Sequence, residues 1–170
     1  MQLSEHLNLA EVTKSSTAKR LGIDNNPTPE HLNNLKLVAE KIFEPIRNHF
    51  KKPINVSSGY RSKQLNEATP GSSLTSQHCS GEALDLDQDS MNTGITNKMV
   101  FDYVKDNLNF DQLILEYPDE YGTPSWIHVS YESTGKQRKQ ILIATRVNGT
   151  PKYTPFTLEN YKKLCPKLKS

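Results

Sequence analysis

Three short segments of this chain alternate apolar and polar residues with a period of two, and that alternation limits what the chain can fold into. In Glu82–Asp87, Leu84 and Leu86 fall on one side, and Ala83, Asp85 and Asp87 on the other. In Gln112–Glu116, Leu113 and Leu115 oppose Gln112, Ile114 and Glu116. In Ser125–Tyr131, Ile127, Val129 and Tyr131 oppose Trp126, His128 and Ser130. Successive strand side chains point to opposite faces of a sheet. Each segment is therefore expected to give one face to a core and one face carrying titratable groups. If the strands are neighbours with those faces aligned, Asp85, His128 and Glu116 converge on one cleft, and His78 enters from the loop before the Asp85 strand.

The other elements read as follows. Residues 1–27 are polar, with one or two helical turns between Leu9 and Leu21. Thr28-Pro29 places a capping residue before a proline at the first helical position. Leu32, Leu35, Val38, Ala39, Ile42, Phe43, Ile46 and Phe50 then form a helical apolar stripe, which Pro45 should bend or shorten. Strands are expected at Ile54–Gly59 and Gln140–Val147, with Asn148-Gly149 as a hairpin turn into Lys152–Thr154. Shorter helices fit Arg61–Ala68, Ile95–Leu108 and Leu158–Cys165. Helices first and mostly strands later imply an α+β fold: an antiparallel sheet with N-terminal helices packed on one side. One domain is expected over 1–170: an arm at 1–27, a catalytic core at 28–155 and a C-terminal helix at 156–170.

Composition excludes more than it selects. A net charge of +2, with both signs mixed along 170 residues, leaves no electrostatic footprint for nucleic acid. No apolar run approaches the ~18 residues a membrane span needs. The N-terminus lacks a basic segment followed by an apolar one, so no secretory signal is expected. Two cysteines, Cys79 and Cys165, are too few for a disulfide framework and match no CxxC site.

Two imidazoles and a carboxylate, His78, His128 and Asp85, suit a catalytic zinc ion, which keeps one coordination place for water. Bound zinc lowers the pKa of that water from about 15.7 to about 7. A neighbouring carboxylate can take its proton, and a cation should stand where an oxyanion develops. Arg61, after a Gly-Tyr turn, is the candidate cation. His6, His31 and His49 lie in or near helical segments and are expected to be solvated, and Cys79 is awkwardly adjacent to His78. Asp85, Asp87 and Asp89 imitate the start of a calcium loop, but Ser90 and Thr96 stand where Gly and Glu are required.

Together, SSGYRS (Ser57–Ser62), SQHCSGEALDLD (Ser76–Asp87) and WIHVSY (Trp126–Tyr131) resemble the three signature segments of the D-alanyl-D-alanine carboxypeptidase family of zinc peptidases. That family includes vancomycin-resistance dipeptidases and many phage endolysins, and shares its fold with lysostaphin-type peptidases and the hedgehog domain. The stretch from Leu9 to Leu35 is similar to the leader of phage- and bacteria-encoded members. The resemblance implies that His78, Asp85 and His128 bind one zinc ion. It implies that Arg61 orients substrate and stabilises the transition state, and that Ser76 lines the cleft. Trp126 is either a wall of the groove or a core residue.

The sequence departs from the family at the general base. Ser125 stands where the carboxypeptidase branch carries Glu or Asp, and Trp126 where a histidine is often found. In the hedgehog-like branch the acid ends the preceding strand, which points to Glu116, with Asp119 and Glu120 as alternatives. The expected activity is hydrolysis of an amide bond in peptidoglycan stem peptides, as an endolysin-type endopeptidase or a carboxypeptidase. The expected protein is a monomer with no nucleic-acid or membrane partner, made in the cytoplasm and acting at the wall after release or from a virion. The competing expectation is a non-catalytic zinc module of the hedgehog type, which Ser125 keeps open.

Overall fold

The computed structural model describes residues 1–168. Two short helices, α1 (Leu9–Thr13) and α2 (Ser16–Leu21), begin the chain. Asn8 and Glu11 close a reciprocal capping box on α1, and the Ser15 side chain caps α2. A long helix follows in three parts: α3 (Pro29–Val38), a π-helical turn (Ala39–Phe43) and α4 (Glu44–Phe50). The Thr28 side chain caps its start, as the sequence implies. Pro45 neither stops the helix nor shortens it. Proline has no N–H to donate to the preceding turn, and the widened turn just before it absorbs the defect. The predicted stripe is the buried face: Leu35, Val38, Ala39, Ile42, Phe43 and Ile46 are all inaccessible.

The remaining elements are β1 (Val56–Ser58), α5 (Lys63–Glu67), β2 (Ala83–Leu86), α6 (Asn97–Asn107), β3 (Gln112–Glu116), β4 (Trp126–Ser130), β5 (Gln140–Val147), β6 (Thr150–Pro155) and α7 (Leu158–Leu164). The six strands form one sheet in the order β1-β2-β4-β3-β5-β6. Four neighbouring pairs are antiparallel, but β3 and β5 run parallel, so the expected antiparallel sheet is in fact mixed. The cause lies in residues 131–139. After β4 they cross the start of β3 and deliver β5 to its far side. Asp111 pins that crossing: it accepts the Arg138 backbone N–H at 3.0 Å and the Arg138 Nε–H at 2.9 Å, and its own carbonyl accepts from Gln140 at 2.9 Å.

One face of the sheet packs Leu84, Leu86, Leu113, Leu115, Ile127, Val129 and Ile143 against the long helix and α6. The same core takes Leu3, Leu7 and Val12 from the N-terminal arm and Tyr161 and Cys165 from the C-terminal end. No described helix is long and apolar enough to cross a membrane. Gly59 allows the arm to dock. A Cβ there would lie 2.6 Å from the Val12 carbonyl oxygen, and Tyr60 N–H donates to that same oxygen at 2.7 Å.

Candidate metal centre and active-site cleft

The sheet's other face carries the chemistry. Asp85 on β2 is the register partner of His128 on β4, which in turn pairs with Ile114 on β3. One row along, Trp126, Glu116 and Ala144 lie side by side on β4, β3 and β5. His78 arrives from a 3-10 turn (Gln77–Ser80) that closes on Gly81, a left-handed residue whose Cβ would strike the His31 carbonyl at 2.5 Å. His78, Asp85, Ile114, Glu116, Trp126 and His128 line a cleft of about 970 Å³ together with Arg61 and Ser76.

His78, Asp85 and His128 each offer a ligand atom, all within 4.8 Å of one another. His78 Nδ1 lies 2.6 Å from the Gly59 carbonyl, which can only accept, so Nδ1 carries the proton and Nε2 presents a lone pair. That lone pair faces Asp85 Oδ1 at 3.1 Å, and His128 Nδ1 faces the same oxygen at 3.0 Å. Two acceptors at such a distance repel unless a cation or proton joins them. Zinc bonds of ~2.0–2.1 Å in tetrahedral array set ligand atoms about 3.3 Å apart, so the donor set suits that ion. Burial lowers the pKa of His78, favouring the neutral imidazole that metals bind. Burial also opposes ionisation of Asp85, but a proton carried by the facing imidazoles outweighs it and holds the carboxyl well below its usual range; a metal ion in that place would do the same.

Glu116 is 7% exposed, and its carboxylate has no hydrogen-bond partner among the described residues. Desolvation dominates there, with Asp85 adding to it and His128, Arg146 and Arg61 opposing, and the pKa rises from 4.5 to about 7. The two alternative bases are occupied elsewhere and do not line the cleft. Asp119 Oδ1 accepts the N–H groups of Tyr121 and Thr123 at 2.9 Å each, holding a turn. Glu120 pairs with Lys167 at 2.7 Å. Arg61 has a buried Nε without a partner and forms no salt bridge among the described residues. Trp126 lines the cleft, its ring edge-on to Tyr117 with centroids 5.3 Å apart.

A family model described as peptidase M15 matches residues 5–130. The chain belongs to the peptidase M15 family. Its members are zinc peptidases, as the three motifs lead one to expect. A comparison with curated proteins finds no match. The match covers the arm, the long helix and the strands that carry Asp85, Glu116 and His128, and it ends before β5.

The other histidines stay out of the cleft. His31 meets the Tyr60 hydroxyl at 3.2 Å, and His49 stacks on Tyr103. His6 pairs with Glu44 at 2.8 Å and forms, with Glu5, a second and largely exposed group of metal-type ligands. Sequence reasoning missed Tyr117, Arg138, Leu142, Arg146 and Tyr153, all of which line the cleft. Leu142 and Arg146 do alternate with core-facing Ile143, but nothing in the sequence reveals that β5 lies beside β3.

Proposed function

We propose that this M15 chain is a zinc peptidase that hydrolyses an amide bond in peptidoglycan stem peptides, as an endolysin-type endopeptidase or a carboxypeptidase. The observation that carries this reading is the position of Glu116: a buried carboxylate with no partner, on the strand beside His128, in the cleft that holds the three ligand side chains. His78, Asp85 and His128 would hold the ion, and zinc in such a set supplies Lewis acidity toward water and a carbonyl oxygen. Glu116 takes the proton of the attacking water and passes it to the leaving amine. A carboxylate placed beside the ligand set can serve both transfers. Arg61, which lines the same cleft and has an unsatisfied Nε–H, is the cation available to the negative charge that develops on the carbonyl oxygen. Ser76 and Trp126 border the groove in which the peptide lies.

The test is mass spectrometry of purified peptidoglycan after incubation with the zinc-loaded protein, beside a chelated control. Chelator-sensitive fragments are expected, and their masses name the bond cut. A protein that holds one zinc and releases nothing is instead the non-catalytic module, and its partner must be sought elsewhere.

A further inference from the structure

Three arginines line the cleft, and they are committed differently. Arg138 is bound to Asp111 through its backbone and its guanidinium. Arg61 belongs to the reacting centre. Arg146 has no carboxylate partner and no side-chain hydrogen bond among the described residues, yet it is not loose: its guanidinium carbon lies 4.5 Å from the centroid of the Tyr117 ring. Tyr117 is itself unusual. It follows Glu116 directly and has φ 47, a left-handed conformation rare for a bulky residue. That backbone is held by a hydrogen bond from Tyr117 N–H to the Ala144 carbonyl at 3.0 Å. Strain maintained this way marks a position the fold overdetermines. Here it sets an aromatic platform between Trp126 and Arg146.

The register places this platform. Glu116 pairs with Ala144, and Arg146 is two residues further along the same strand face. That separates the two Cα atoms by about 8 Å, roughly two residues of an extended peptide. Ala144, whose register partners are Glu116 and Tyr153, is buried and does not line the cleft, so Arg146 and Tyr153 form this side of it. The strands of this wall, β5 and β6, lie beyond the family match. Resting on the peptidase reading above, we propose that Arg146 is a specificity-determining residue, which selects substrates carrying a free carboxylate about two residues from the scissile bond. A guanidinium resting over a ring, with no carboxylate already bound, leaves its N–H fork available for a bidentate carboxylate.

The test compares two synthetic stem peptides, L-Ala-γ-D-Glu-L-Lys-D-Ala-D-Ala and the same peptide with the glutamyl α-carboxylate amidated. Binding is measured by calorimetry to zinc-loaded protein carrying Glu116→Gln, so that neither peptide turns over, and cleavage is followed with the unsubstituted protein. The free carboxylate is expected to bind about tenfold more tightly, as a charge-assisted pair allows. Adding Arg146→Gln should reduce that ratio to under about twofold, whereas Lys152→Gln, which removes a charge outside the cleft, should leave it intact. Equal affinity for the two peptides in a protein that cuts both, or a ratio that survives Arg146→Gln, overturns the assignment and leaves the peptidase reading standing. If neither peptide binds or is cut, both readings fall.

Discussion

The two ends of β3 each hold a buried carboxylate, and the fold treats them in opposite ways. Asp111, just before the strand, is 1% exposed, and Glu116, at its end, is 7% exposed. Asp111 accepts from Arg138 and from Gln77 Nε2 at 2.9 Å. Burial alone would raise its pKa, but these donors, Arg138 foremost, lower it. Glu116 receives no donor, and burial drives it up to about 7. Burial is answered by donors at Asp111 and by none at Glu116, which leaves a fixed anion at one end and a proton carrier at the other. Hydrogen bonding to the charged form separates the two. Asp111 holds the crossing that makes the sheet mixed, and Glu116 faces the cleft.

The sharpest way to break this contrast is Glu116→Gln, which keeps the shape and removes the proton acceptor. Turnover is expected to fall about 10³-fold with zinc retained, the scale of a lost general base. Assay of peptide cleavage beside metal analysis reads both. The matching change at the other end, Asp111→Ala, should instead cost about 3 kcal/mol of stability, the low end for a broken buried pair, because Arg138 can rehydrate. Urea unfolding measures it. If Asp111→Ala leaves the midpoint in place, the crossing is held by its backbone bonds alone.

The pH dependence of the metal-free protein sharpens the contrast further, because the two signs differ. Glu116 has a folded pKa of about 7 against an ordinary 4.5, so the folded state holds its proton more tightly. Its contribution to stability is complete below the unfolded pKa and is lost as pH rises through the folded one. Relative to Glu116→Gln, the unsubstituted protein should therefore lose about 2 kcal/mol between pH 5 and pH 7. Asp111, with its pKa lowered from 3.8, stabilises above that value and loses its contribution as pH falls below it. Paired unfolding curves in chelator at both pH values give the first sign, and acid unfolding of Asp111→Ala gives the second.

Much of this arrangement is legible in the sequence because it rests on local rules. The period-two pattern sends Leu84, Leu113 and Val129 inward, and Asp85, Glu116 and His128 to the opposite face, in any antiparallel pairing of those strands. The Thr28 cap and the apolar stripe of the long helix are likewise properties of a few neighbouring residues. What escapes reading is long-range. The parallel β3–β5 pair depends on Asp111 meeting Arg138 across the crossing, and neither residue announces its partner. Arg146 and Tyr117 acquire meaning only once β5 lies beside β3. The Gly59 carbonyl that orients His78 belongs to the backbone, and so no side-chain pattern could single it out. The π-helical turn before Pro45 reflects how well the surrounding core holds a helix that the proline would otherwise break.

The smallest expected effect is the most discriminating for the choice of base. Glu120 was a rival to Glu116 on sequence grounds, yet it sits in the loop after β3 and pairs with Lys167 across an exposed surface. Both side chains are about half open to water, at 47% and 55%. Such pairs contribute less than about 1 kcal/mol, because solvent screens the charges and two long side chains must be ordered. Glu120→Gln is therefore expected to shift the unfolding midpoint barely and to leave peptide cleavage within about twofold, a change too small for any group that moves the reacting proton. A loss of turnover as large as that expected for Glu116→Gln would place the base in the loop rather than on the strand. The partnerless carboxylate at the end of β3 would then need another explanation.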